Sequence, residues 1–196
     1  LSIPLLAILL FWRKTKGKEH PQRLYERKGY PSLARPKGNL IWLHAASVGE
    51  AQSALILIET ISAQYPDTEF LVTSGTLTSS ELMAKRLPHN AVHQFIPLDH
   101  PRWVRRFFNH WQPDLVLWME SELWPNMVQA IKKRHIPAIL INARLSDRSF
   151  KRWRLLKKSV QTLLSTFHVI LAQTNQDKER FDLLGAPNTV VTDNLK

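Results

Sequence analysis

Short apolar runs alternate with stretches of helical periodicity along most of the chain. Leu40-Ile41-Trp42-Leu43-His44 follows the turn signal Lys37-Gly38-Asn39 and reads as a buried strand. Similar runs predict strands over 69–74, 92–96, 114–119, 138–142 and 168–172, with a possible seventh over 189–192. Between the first two, apolar residues at 51, 54, 55, 57, 58 and 61 give 50–64 the spacing of a helix, which Pro66-Asp67 ends. Further helices are expected over 79–87, stopped by Pro88; over 102–111, with Pro101 at its start; over 127–135; and over 176–184, closed by Gly185. One long basic helix is expected over 150–164. The strands are continuous apolar runs rather than alternating ones, as in a parallel sheet covered on both faces. The pattern predicts an α/β fold, a Rossmann-like doubly wound parallel sheet, over 39–196. Ligands then gather at the carboxyl ends of the strands, and the strand-to-helix loops are the places for chemistry.

The first 38 residues read differently. Leu1 to Trp12 is apolar except for Ser2 and Pro4, and Arg13-Lys14-Thr15-Lys16-Gly17-Lys18 follows at once. Twelve residues are too few to span a bilayer, which needs roughly 20. Residues 1–18 are read as the remnant of a membrane anchor with its basic flank, which places the body on the cytoplasmic side. The same run would also make a short apolar helix docked on the domain. Residues 19–38 carry Pro21, Pro31 and Pro36 and read as a linker. Within it, Arg23-Leu24-Tyr25-Glu26-Arg27-Lys28-Gly29-Tyr30 has the pattern of a short amphipathic helix closed by Gly29.

Charge sharpens this division. The chain of 196 residues carries 27 Lys and Arg against 16 Asp and Glu, a net charge of +11. Residues 1–38 hold nine of the basic residues against two Glu, and 144–158 hold seven against one Asp. The rest is close to neutral. An anionic partner is implied: nucleic acid, a membrane surface or a phosphorylated substrate. Without zinc-finger, RRM-type or clear helix-turn-helix signals, nucleic acid is the weakest of these. The absence of Cys excludes disulfides, Cys-based zinc sites and thiol catalysis. There is no HExxH pair, so a His-based metal site is not expected, and His44 is the one histidine placed near the proposed site.

Three loops carry candidate chemistry. After the first strand, His44-Ala45-Ala46-Ser47-Val48-Gly49-Glu50 offers a hydroxyl, a glycine for close approach and a carboxylate beside a helix start. It is neither a dinucleotide fingerprint nor a P-loop. Glu50 suits a general base, and equally a first-turn helix carboxylate. After the fourth strand, Glu120-Ser121-Glu122-Leu123-Trp124-Pro125-Asn126 presents two carboxylates that could bind sugar hydroxyls, perturb each other or cap the next helix. After the fifth, Asn142-Ala143-Arg144-Leu145-Ser146-Asp147-Arg148-Ser149 leads into the basic helix, where Arg can fork onto phosphate or carboxylate or merely be solvated. Ser74-Gly75-Thr76 could help to bind phosphate or sugar, whereas Pro97-Leu98-Asp99-His100-Pro101 reads as a structural turn.

These three loops, in this order and each after a strand, closely resemble the 3-deoxy-D-manno-oct-2-ulosonic acid (Kdo) transferases of lipopolysaccharide synthesis. The resemblance covers essentially the whole chain. It implies the N-terminal, acceptor-binding half of a two-domain GT-B glycosyltransferase that moves Kdo from CMP-Kdo to the lipid A precursor, with inversion and with no metal or other cofactor. It implies Glu50 as catalytic base, with Ser47, Gly49, Glu120, Glu122, Arg144 and Ser146 binding substrate. It also implies the cytoplasmic face of the inner membrane as location, and membrane surface rather than nucleic acid as partner. The sequence ends at Asn194-Leu195-Lys196, where the family crosses into its donor domain, so CMP-Kdo binding would need that missing half and transfer by this chain alone is not expected. Asp193 stands where the family usually has Gly. A different class of function, a non-catalytic module for anionic lipid surfaces, also fits the basic tail and the Trp153, Leu155 and Leu156 set among the charges of the basic helix.

Overall fold

The computed structural model describes residues 3–192. Asp193 and the closing Asn194-Leu195-Lys196, like Leu1 and Ser2, lie outside the described residues. Seven strands are present: β1 Leu40–His44, β2 Glu69–Ser74, β3 Ala91–Phe95, β4 Leu115–Met119, β5 Ala138–Ala143, β6 Val169–Ala172 and β7 Thr189–Val191. They form one sheet in the order β3-β2-β1-β4-β5-β6-β7, and every neighbouring pair is parallel. The helices between them are α2 Val48–Gln64, α3 Leu77–Arg86, α4 Pro101–Trp111, α5 Pro125–Lys133, α6 Asp147–Leu155, α7 Lys157–Leu164 and α8 Asn175–Leu183; α1 Ile3–Thr15 precedes the sheet. This is the Rossmann-like arrangement expected from the alternating runs.

Successive strand residues point to opposite faces, and the core divides accordingly. Leu43, Val72, Met119 and Ile141 pack under α2 and α3 with Leu55, Ile58 and Met83. Their chain neighbours Trp42, Leu71, Trp118 and Leu140 face the other way, onto residues of α4, α5, α7 and α8. Burial on both sides explains why the strands read as unbroken apolar runs. Trp42 is the centre of the second layer, with Phe107, Phe108 and Trp118 around it at ring-centroid distances of 4.9, 5.5 and 5.7 Å.

Two expectations are corrected. The basic segment is two helices, because the chain bends at Leu156 (φ −115°, ψ 31°). α6 fully buries no residue and touches the core only through the partly buried Phe150 and Trp153, whereas α7, beyond the bend, buries Val160 and Leu164. The second correction concerns 19–38, which is a strap rather than a linker. Glu19, Glu26 and Arg27 are all buried in it. Leu24–Lys28 forms a 3-10 helix closed by Gly29 at φ 75°, and a Cβ there would meet the Trp103 carbonyl oxygen at 2.1 Å. That contact, besides the left-handed backbone, requires glycine.

Glu26 fastens the strap to the sheet. Its carboxylate accepts from Arg23 Nε at 2.6 Å and Nη2 at 3.1 Å, and from the Phe95 amide of β3 at 2.6 Å. Arg23 reaches on to the His93 carbonyl oxygen at 2.9 Å and Nδ1 at 3.1 Å. The polar, proline-marked sequence hid this because its partners lie about 70 positions away.

The apolar N-terminal run is a docked helix on one side. Leu6 and Leu10 of α1 pack on Trp103 of α4. The other side is exposed: Leu5, Ile8, Leu9, Phe11 and Trp12 face outward, Phe11 at 69% exposure. Among the described residues no helix is long and apolar enough to cross a membrane.

Removing the Glu26 carboxylate strands the Arg23 guanidinium and the Phe95 amide, the costly way to break a buried pair. Glu26→Ala is therefore expected to cost about 3 kcal/mol in urea unfolding. A loss below about 1 kcal/mol would mean that the strap contributes little to stability.

Candidate active site

The strand order reverses its direction of growth between β1 and β4: β2 and β3 add on one side of β1, and β4 to β7 on the other. Loops leaving the carboxyl ends of β1 and β4 therefore part in opposite directions and leave a crevice, the usual ligand position in such sheets. A cleft of about 370 Å³ lies there, with Ser47, Glu50, Glu122 and Trp124 along it. Two of the three loops singled out in the sequence thus meet in one cavity.

Glu50 sits in the first turn of α2 and is buried. Ser47 caps that helix: its Oγ accepts from the Glu50 amide at 3.3 Å and donates to Glu50 Oε1 at 2.6 Å. The Ser47 amide donates to Oε1 at 3.2 Å and the Ala46 amide to Oε2 at 2.8 Å. Glu50 is thus both a capping residue and a cleft residue; the two readings are one geometry. The capping box fixes the rotamer, and Oε2, with one donor, keeps a lone pair free to receive a proton. Burial pushes the Glu50 pKa above its ordinary 4.5, the bonds from Ser47 and Ala46 oppose this, and the charges of Glu120 and Glu122 add to the rise. A carboxylate held in place with its basicity increased is suited to take a proton from a hydroxyl.

Gly49 lies one residue before Glu50 within α2, where its carbonyl oxygen accepts from Ser53 Oγ at 3.3 Å. Glu120 has a left-handed backbone at φ 55°, and its amide bonds to the Ile141 carbonyl oxygen at 2.9 Å. It acts on Glu50 through charge without lining the cleft. Glu122 does line it, and its carbonyl oxygen accepts from Trp118 Nε1 at 3.1 Å. Asp99 anchors the far end of this loop by accepting from the amides of Asn126 at 3.0 Å and Met127 at 2.9 Å. The 97–101 turn is thus structural, as expected, though Leu98 beside it also lines the cleft.

Arg144 and Ser146 are not in the lining of this cleft. Both are exposed; the Arg144 amide donates to Ser121 Oγ at 3.2 Å, tying its loop to the β4 loop, and Ser146 caps α6 through the Ser149 amide at 3.2 Å. The loop between them is held from α8: Asp177 accepts from the Leu145 amide at 2.8 Å, and Arg180 bonds the Leu145 carbonyl oxygen and Asp147.

Two cleft residues were missed in the sequence. Arg13 from α1 and Arg27 from the strap form the remaining wall. Both bond to one buried carboxylate, Glu19, at 2.5 and 2.8 Å. Arg27 also donates to the carbonyl oxygens of Ile96 at 3.1 Å and Gly75 at 2.6 Å. The only hint was a cluster of basic residues whose partners the sequence does not order.

His44 lies under the cleft, fully buried, with its ring 4.4 Å from that of Trp118. Trp42 Nε1 donates to Thr73 Oγ1 at 2.8 Å, and Thr73 Oγ1 lies 3.0 Å from His44 Nδ1. His44 Nε2 has no protein partner among the described residues. His89 and His93 stand four apart, but His93 is on β3 and not on a helix. Among the described residues no group of three or more His, Asp or Glu is placed to hold a metal ion.

Comparison with known proteins shows the family. Residues 22–196 match the model of a family described as 3-deoxy-D-manno-octulosonic-acid transferase (kdotransferase). The chain belongs to this family. A probable mitochondrial 3-deoxy-D-manno-octulosonic acid transferase of Arabidopsis thaliana is 42% identical over 190 residues, covering 96% of this chain and 42% of that protein. The 3-deoxy-D-manno-octulosonic acid transferase of Rickettsia bellii is 38% identical over 196 residues, 100% of this chain and 47% of the relative. That of Haemophilus influenzae is 37% identical over 196 residues, 98% and 46% respectively. The chain spans about half the length of the relatives it matches.

Burial holds both His44 and His93 neutral, pushing each from 6.5 down to about 3. As pH falls below 6.5 the unfolded chain takes up protons that the folded chain refuses, so stability is lost between about 6.5 and 3. Urea unfolding free energy is expected to fall between about pH 7 and pH 5, by up to ~2 kcal/mol for each ring. His44→Asn and His93→Asn should each flatten the slope. A wild-type profile that is flat over that range would show that the rings accept protons in the folded state.

Proposed function

We propose that this chain is the acceptor-binding half of an inverting GT-B glycosyltransferase that moves Kdo from CMP-Kdo to a lipid A precursor. The observation that carries the chemical part is Glu50: a buried, raised-pKa carboxylate, fixed by its own capping box, in the crevice between β1 and β4. It takes the proton from the acceptor hydroxyl as that oxygen attacks the anomeric carbon of Kdo, and CMP leaves from the opposite face. Ser47 keeps Oε1 occupied, so the proton goes to Oε2. Glu122 and Trp124, on the facing loop, offer a hydrogen-bond acceptor and a flat apolar surface for a sugar ring. CMP-Kdo is held from the second, donor-binding domain of such an enzyme. The residues of this half act through proton transfer and positioning, and the reaction draws on no bound metal or cofactor.

The N-terminal helix suits work on a lipid at a membrane surface. Its exposed Leu5, Ile8, Leu9, Phe11 and Trp12 are followed by Arg13, Lys14, Lys16 and Lys18, the combination that inserts a helix face into an anionic interface without spanning it. This supports residence on the cytoplasmic face of the inner membrane. The same face also supports the second reading, an anionic-lipid binding module without catalysis, which Glu50 argues against.

Two measurements test the proposal. In the complete enzyme, Glu50→Gln can keep the bonds from Ser47 through its one carbonyl oxygen, gives up the bond from the Ala46 amide, and should lower kcat by about 10²- to 10⁴-fold while the chain still folds. The base works deprotonated, so wild-type kcat/KM should fall on acidification with an apparent pKa above 4.5. Near-normal turnover by the variant removes Glu50 from the role of base. On the membrane side, Ile8→Ser with Phe11→Ser should release the protein from anionic vesicles in sedimentation. Undiminished binding would locate the contact elsewhere, and the exposed Leu155 and Leu156 of the basic helices are then the next surface to change.

A further inference from the structure

The carboxyl ends of β2, β1 and β4 carry one row of side chains across the sheet. Thr73, His44 and Trp118 are register partners on these neighbouring strands. They meet side to side: Thr73 Oγ1 lies 3.0 Å from His44 Nδ1, and the His44 ring is 4.4 Å from that of Trp118. Trp42, two residues back on the same face of β1, supports the row from below. Its Nε1 donates to Thr73 Oγ1 at 2.8 Å, and its ring is 5.7 Å from that of Trp118. All four side chains are fully buried.

Trp118 Nε1 carries this row out of the sheet and into the loop after β4, where it donates to the Glu122 carbonyl oxygen at 3.1 Å. The chain meets that N–H because Glu120, at φ 55°, turns it back directly after the strand. Other bonds hold the flanks of the loop. The Glu120 amide donates to the Ile141 carbonyl oxygen at 2.9 Å, Ser121 Oγ accepts from the Arg144 amide at 3.2 Å, and Asp99 holds the amides of Asn126 and Met127. Residue 122 itself depends on the indole. Among the described residues its side chain makes no hydrogen bond or ion pair, and its carbonyl oxygen is fastened by Trp118. The place of the Glu122 carboxylate in the cleft is therefore set through its backbone.

We infer that Trp118 is a positioning residue of the reaction: its indole N–H, aimed by the row from Thr73 through His44, holds Glu122 in place across the cleft from Glu50. The inference deepens the acceptor-site reading and rests on it for what Glu122 binds. A substrate hydroxyl is oriented by the Glu122 carboxylate only while that carboxylate stays at the cleft, so its alignment depends on a bond that it never touches. The Glu122 charge also adds to the rise of the Glu50 pKa, so the hold on Glu122 sets part of the basicity of Glu50. Of the other groups around Glu50, Glu120 acts in the same sense. Arg13 and Arg27 on the remaining wall are fixed through Glu19, and His44 beneath is held neutral by burial.

The test removes one indole N–H at each of two buried sites in the same core layer. Trp118→Phe keeps an aromatic ring beside His44 and loses the bond to Glu122. Trp111→Phe is the control: it loses the bond that Gln94 Oε1 accepts at 2.8 Å, at the C-terminal end of α4. Two quantities are read: the KM for a lipid A precursor in the complete enzyme with CMP-Kdo, and the Glu50 pKa by NMR titration of its labelled carboxyl carbon. Trp118→Phe should raise KM about threefold to tenfold with a smaller change in kcat, and should lower the Glu50 pKa. Glu122→Gln should lower that pKa further, and the double variant should titrate like Glu122→Gln alone, since no charge is then left to place. Trp111→Phe should lose urea stability while its KM stays within about twofold of wild type and its Glu50 titration is unmoved. If Trp118→Phe does not fold, benzothienylalanine at position 118 keeps both rings, puts sulfur in place of the N–H and carries the same expectation. A wild-type KM and titration in the Trp118 variant overturn the inference. So does an equal change in Trp111→Phe, and so do pKa shifts of Trp118→Phe and Glu122→Gln that simply add. Failure of the base assignment shows separately: a Glu50→Gln enzyme that still turns over removes Glu50 as base, yet leaves the titration shift, which reads the carboxyl whether or not it is the base.

Discussion

The molecule is organised by the point where the sheet changes direction beside β1. A strand can have only two hydrogen-bonded neighbours, and β1 has β2 on one side and β4 on the other. The chain reaches β4 only by recrossing the sheet after β3, so helices before the crossing pack on one face and those after it on the other. The loops at the carboxyl ends of β1 and β4 then cannot meet, and the space between them is the cleft. Its floor is rigid because Trp42, Trp118 and His44 pack directly beneath it. Everything placed over that floor, the Glu50 capping box included, inherits its position from the strand order.

Much of this was legible in the residues. Two-sided burial makes each strand a continuous apolar run, so six strands and their order along the chain could be read directly. A doubly wound topology then places loop chemistry at strand ends, and Ser47, Glu50 and Glu122 do line one cleft there. Boundaries were less legible. Ser47 starts α2 two residues earlier than the apolar spacing shows, because capping depends on a hydroxyl and not on periodicity. The bend at Leu156 was hidden because Leu155 and Leu156 continue the apolar pattern although both are exposed.

The basic wall was illegible for a different reason. Glu19, Glu26, Arg23 and Arg27 lie in a polar segment with prolines, and such composition usually marks solvent-exposed chain. Burial of a charge depends on partners far away in sequence, here the strand β3 and the Gly75 and Ile96 carbonyl oxygens. Local pattern carries no trace of them. The same holds for Arg144 and Ser146, which the motif marks clearly, and which the fold leaves exposed outside the cleft lining, with their loop secured through Asp177 and Arg180.

Arg13 has one property that follows from its address. It is a wall residue of the cleft, yet it belongs to a helix that is attached mainly through Leu6 and Leu10 against Trp103. Two leucines give an attachment of a few kcal/mol, about 1.5 to 3 for each. Helix docking and cleft occupancy are then thermodynamically linked: whatever grips Arg13 holds the helix down, and whatever holds the helix down improves the grip, by the same factor. A surface that captures the outer face of α1 would in this way act as an effector of a site it never touches.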